Sequence, residues 1–146
     1  MSSMRSVLQI ILVVGLTLWV FSNDVWGEHL VKLDKDKDSG TVFYYDKDTV
    51  KRASGKVQVW ETIYWGGEEL SKRVELLGKM SVEGNQKLSY SKYLIEVNCR
   101  EKTFGYRVYI DYDEKGGVLN LDKPSEKVLN IVPNTNIDTL KKIVCW

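Results

Sequence analysis

The chain has 146 residues, with 21 Lys plus Arg against 20 Asp plus Glu, a formal net charge of +1, and only one His, two Cys and two Pro. Near-neutrality argues against a nucleic-acid binder, which concentrates basic residues on one face. So few His, Cys and Pro argue against a zinc cluster, a disulfide-dense miniprotein and a Pro-rich linker protein, and the length fits one compact domain.

Residues 1–27 differ from everything after them. Arg5 is their only basic residue, and an apolar run from Val7 to Phe21 is broken only by Gln9, Gly15 and Thr17. This is the pattern of a secretory signal peptide. The run is shorter than the roughly 20 apolar residues that span a bilayer. Cleavage is expected after Gly27, with Ser22 as the second choice and an uncleaved anchor as the alternative. The remaining 119 residues, 28–146, keep a net charge of +1. No cysteine lies near the cleavage region, so no N-terminal lipid anchor is expected.

Along the mature part, alternating runs rich in Val, Ile, Tyr and Trp are separated by Gly, Asp and Asn clusters, which predicts an antiparallel sheet. Six strands are expected, at about 29–34, 41–46, 56–65, 88–99, 103–112 and 117–121. In the third, Trp60 and Tyr64 share one face and Val57, Val59, Ile63 and Trp65 the other. Either helices cover the second apolar face, or part of it is a binding surface. The fourth strand points Tyr93, Ile95, Val97 and Cys99 inward. In the fifth, the two-residue period assigns Phe104, Tyr106, Val108, Ile110 and Tyr112 to the core and Thr103, Gly105, Arg107, Tyr109 and Asp111 to the other side.

Two segments break this rhythm. Leu70, Val74 and Leu77 recur at helical spacing over 68–77, with Glu68 to Lys72 and Glu69 to Arg73 as i to i+4 pairs and Gly78 as a stop. After Pro133, one of Asn134, Thr135 or Asn136 can cap a second helix whose apolar stripe is Ile137, Leu140 and Val144. Such a short helix is unstable alone in water. Cys99 and Cys145 are the only cysteines, and in an exported chain such a pair normally closes. The bridge would enclose about 47 residues, worth on the order of 4 kcal/mol by chain entropy, and would pin the helix to the sheet. The fold expected is therefore α+β, a six-stranded antiparallel sheet with a disulfide-tied C-terminal helix.

Catalytic chemistry finds little support. His29 is the only imidazole and stands near the new terminus, which disfavours Ser-His-Asp or Cys-His catalysis. Asp111, Asp113 and Glu114 fall in or beside a turn, where solvated carboxylates are ordinary. Asp34 to Gly40 alternates carboxylates with lysines, but an EF-hand needs Gly at its sixth position and a carboxylate at its twelfth, and Ser39 and Tyr45 stand there. A solvated hairpin is expected, with no metal and no cofactor. The aromatic surplus points instead to protein contacts, with Trp60, Tyr64, Tyr44 and Tyr109 as the candidate binding surface. Sheet edges offer a route to a homodimer.

Thr41-Val42-Phe43-Tyr44-Tyr45-Asp46, Lys56 to Trp60, Leu88-Ser89-Tyr90 running to Ile95-Glu96-Val97-Asn98-Cys99, Tyr112-Asp113 with a following Gly, and the terminal Val144-Cys145 together resemble the bacterial surface-adhesin protein E family. The resemblance spans nearly all of 28–146. It implies an antiparallel sheet with a C-terminal helix fastened by a disulfide, and it implies non-enzymatic adhesion, through contacts with extracellular-matrix or host serum proteins. No ligand-binding motif of that family is matched residue by residue. The expected role is an exported binding protein of the periplasm or cell surface, with a matrix or envelope protein as partner. The alternative is a soluble periplasmic protein that holds a small ligand or serves a structural role.

Overall fold

The structure, a computed structural model, describes residues 28–124 and 126–146. The segment 1–27, expected to be a signal peptide, lies outside the described residues. The strands are β1 (Leu30–Lys35), β2 (Val42–Asp46), β3 (Lys51–Ala53), β4 (Lys56–Tyr64), β5 (Leu88–Asn98), β6 (Thr103–Asp113), β7 (Val118–Asp122) and β8 (Leu129–Asn130). They form one antiparallel sheet whose main path runs β1-β2-β4-β5-β6-β7. These are the six strands expected from the sequence. The two extra strands complete edges of the long central ones. β2 and β3 share one edge of β4, at 61–64 and 56–58, and β7 and β8 share the outer edge of β6. Pairing there satisfies backbone groups that would otherwise be left open.

Helix α1 (Gly67–Lys79) follows β4, and α2 (Asn136–Val144) ends the fold. α1 enters through Gly66 and Gly67, which pass so close to the Asp36–Gly40 turn that a Cβ on Gly66 would stand 2.5 Å from the Ser39 carbonyl oxygen. It runs through Gly78 rather than stopping there, and Met80 caps it. Glycine at 78 gives room to Asn85, whose side-chain amide donates to the Val74 carbonyl. In α2 the cap is Thr135, whose hydroxyl accepts from the Asp138 amide at 3.2 Å.

Both helices pack on the same side of the sheet. Ile137, Leu140 and Val144 of α2 join Val57, Val59, Ile63, Tyr93, Ile95 and Val97 in one core, with Val59, Ile95, Val97 and Leu140 wholly buried. The Cys99–Cys145 bridge forms, with 5.5 Å between the Cα atoms, and fixes the last turn of α2 to the end of β5. α1 reaches the same side through Arg73, whose guanidinium makes two hydrogen bonds to the Asp111 carboxylate.

The expected faces of the fifth predicted strand, β6, hold only for its first half. Ile95 pairs with Tyr106, but Leu94 pairs with Val108, so Arg107 is an extra residue. This β-bulge inverts the alternation beyond it. Phe104, Tyr106, Tyr109 and the buried Asp111 face the helices, whereas Val108, Ile110 and Tyr112 face the other way.

Candidate functional site

The side of the sheet opposite the helices is covered by no described helix. Direct cross-strand partners share a face, so the register alone builds its rows. Val42, Tyr64, Tyr90, Tyr112 and Val118 lie side by side across β2, β4, β5, β6 and β7. The next row is Tyr44, Thr62, Lys92, Ile110 and Leu121. Trp60, Leu94 and Val108 form a third.

Four tyrosine rings form a continuous chain on this face. Tyr44 meets Tyr64 edge-on with centroids 5.7 Å apart, Tyr64 lies 5.4 Å from Tyr90, and Tyr90 stacks on Tyr112 at 4.8 Å. Close aromatic pairs of this kind add about 0.5–1.5 kcal/mol beyond the area they bury. Ring packing therefore holds the patch in one shape before any partner arrives. Tyr64 is 41% exposed, Val118 61% and Leu121 59%, which makes an apolar area open to solvent.

Charge frames the aromatic centre. Lys92 places its ammonium 5.7 Å from the centre of the Tyr112 ring and pairs with Glu28. Both line a recess of about 220 Å³ with Asp46, Trp60, Thr62 and Ile110. At the far end Glu96 accepts from Arg107, Gln58 and Lys56 at 2.8, 3.0 and 3.2 Å. Those three donors, Arg107 first, pull its carboxyl down to about 2. The bulge residue thus ends as the anchor of an ionic cluster on the open face.

Of the residues singled out by sequence, Tyr44, Trp60 and Tyr64 come together here. Tyr109 does not. The bulge turns it to the helix side, half-buried between Tyr93 at 4.8 Å and Tyr106 at 5.3 Å. Tyr90, Tyr112, Ile110 and Leu121 belong to the face and were missed. Strand alternation carried a signal for Tyr90, whose position is in phase with Lys92 and Leu94. For Tyr112 and Ile110 the bulge hid it.

Elsewhere the charged groups have structural work. Asp36 accepts from the Ser39 and Asp38 amides and the Ser39 hydroxyl, which lowers its pKa, the Ser39 backbone contact most. The turn is a hairpin tied by its own carboxylate. Among the described residues no group of three or more His, Cys, Asp and Glu side chains is placed to hold a metal ion. His29 pairs with Asp48 at the surface. Among the described residues no helix is long and apolar enough to cross a membrane.

The family described as surface-adhesin protein E matches residues 30–146 of the chain. No curated protein matches it in sequence. Among solved structures, the selenomethionine form of Haemophilus influenzae protein E aligns with a TM-score of 0.50 at 15% identity, covering 80% of this chain and 93% of that one. Crystal form II of the same protein gives 0.51 at 15% identity, over 80% and 94%. At such identity the likeness concerns the fold. The family match runs from the first residue of β1 through the disulfide-fastened helix, and the chain belongs to the surface-adhesin protein E family.

Proposed function

We propose that this adhesin-like, non-enzymatic protein binds a protein partner of the extracellular matrix or cell envelope through the tyrosine face of its sheet. The carrying observation is the packed row Tyr44, Tyr64, Tyr90 and Tyr112, continued by exposed Val118 and Leu121, on a side that no described helix covers. Tyrosines supply large contact area at low entropic cost, and their hydroxyls can donate to partner carbonyls. The ionic groups alongside the row, Lys92 with Glu28 and Glu96 with Arg107, add polar contacts to the aromatic patch. The proposal includes export by the 1–27 segment with cleavage after Gly27, to the periplasm or the cell surface. Pairing of two copies through the β7 edge extends the same face.

The test is a binding assay of the mature domain, residues 28–146, on a panel of immobilised matrix and envelope proteins. Tyr64→Ala and Tyr112→Ala should each weaken capture by about tenfold or more, as expected for central aromatic contacts, with the circular-dichroism spectrum unchanged. Equal capture by both folded variants, or no capture by the parent, rejects this face as the site.

A further inference from the structure

Glu61 stands out in the core. Strand alternation puts it on the helix-facing side of β4 with Val57, Val59 and Ile63, and it has no exposed surface. One carboxyl oxygen, Oε1, accepts from the Asn136 side-chain amide at 2.6 Å, while Oε2 has no hydrogen-bond partner among the described residues. Asn136 is the first residue of α2. The opposite end of that helix is held by the Cys99–Cys145 bridge. One end is thus fastened covalently, and the other is held by Ile137 in the core and by the Asn136 contact to a buried acid.

Apart from the Asn136 amide, no described residue beside Glu61 offsets a negative charge. Across the sheet its neighbours are Tyr45 on β2 and Tyr93 on β5, and Tyr106 of β6 lies near enough to sense it. Burial raises the pKa values of Tyr93 and Tyr106, so both hydroxyls stay neutral at physiological pH. On α2, Asp138 is engaged by Lys142 at 2.8 Å and by the Asn134 amide. Arg73 is committed to Asp111. Desolvation pushes the Glu61 carboxyl up to about 7, with only the Asn136 amide acting to lower it. A carboxylate in such a place must keep its proton or reach water.

We propose that Glu61 and Asn136 form a proton-dependent clasp. With Glu61 neutral the first turn of α2 stays docked, and with Glu61 ionised that turn lifts and admits water while the disulfide keeps the helix attached. The lifted state opens the aromatic interior around Tyr93 and Tyr106 without unfolding the sheet. The helix becomes a flap hinged at Cys145, and the local opening belongs to a sub-global unit of the fold.

Amide hydrogen exchange of the mature domain, disulfide intact, tests this between about pH 5.5 and about pH 8.5, corrected for intrinsic exchange rates. Protection at Thr139, Leu140 and Lys141 should fall by about tenfold or more as pH rises, beyond any fall at Ile95 and Val97 of β5, which follow the global stability. Glu61→Gln, which cannot ionise, should hold protection flat. A fall that appears equally in β5, a fall that persists in Glu61→Gln, or no fall in the parent overturns the clasp. Should Glu61→Gln fail to fold, the side-chain carboxyl carbon of Glu61 in the parent reads the same property by NMR. A titration midpoint above about 6 supports the clasp, and one at or below it refutes it.

Discussion

On the helix side of the sheet, Val59, Ile95 and Val97 have no exposed surface, whereas on the opposite side Tyr64, Leu121 and Val118 expose between 41% and 61% of theirs. The same three central strands, β4, β5 and β6, supply residues to both. The helix side also holds buried polar groups: Asp111 receives Arg73, Ser91 and Asn120, and Ser91 in turn accepts from the Trp65 indole. The open side carries its ionic groups along β5, at Lys92 and Glu96, beside the tyrosine row. Burial explains the contrast. A polar group under a helix needs every partner supplied by the protein. One on the open side can use water, which leaves the aromatic surface free for a partner.

The contrast can be broken most strongly at its buried charge. Arg73→Ala leaves the Asp111 carboxylate without its cation and should cost about 3–5 kcal/mol of folding stability, read by urea denaturation. Next comes apolar packing. Leu140→Ala should cost about 2–5 kcal/mol, against about 1 kcal/mol for Ile110→Ala on the open side. Similar losses from both would mean that the open side is covered after all.

Glu61 gives the pH dependence its sign. Its folded pKa, about 7, lies above the ordinary 4.5, so the stability it allows is fully present below about 4.5 and is lost as pH rises through about 7. The loss amounts to about 3 kcal/mol over that window. Urea denaturation at several pH values should show the decline in the parent and not in Glu61→Gln. Tyr64→Ala should have the smallest effect on stability, within about 1 kcal/mol, while having a large effect on capture of a partner.

Much of the architecture was legible in the sequence because it is local. Strand alternation placed the six main strands to within about two residues, the Thr135 position was among the foreseen caps, and two cysteines left one pairing. What was not legible is non-local. The extra residue at Arg107 becomes a bulge only against Leu94 and Ile95, so the facing of Tyr109, Ile110 and Tyr112 depends on a partner strand. β3 consists of Lys51, Arg52 and Ala53, which carry no strand pattern of their own and are ordered by β4. The tyrosine row draws one residue from each of four strands, and no window along the chain contains it. Glu61 is the opposite case. Its phase with Val57, Val59 and Ile63 was readable, and it marks a carboxyl inside the core.

Chain order gives the disulfide a role in timing. All eight described strands precede α2, so during synthesis the sheet emerges before the helix that finishes its core. Until Cys145 arrives, Val57, Val59 and Val97 have no helix above them, and the chain presents two apolar faces instead of one. Oxidation to Cys99 then ties the finishing helix over that core.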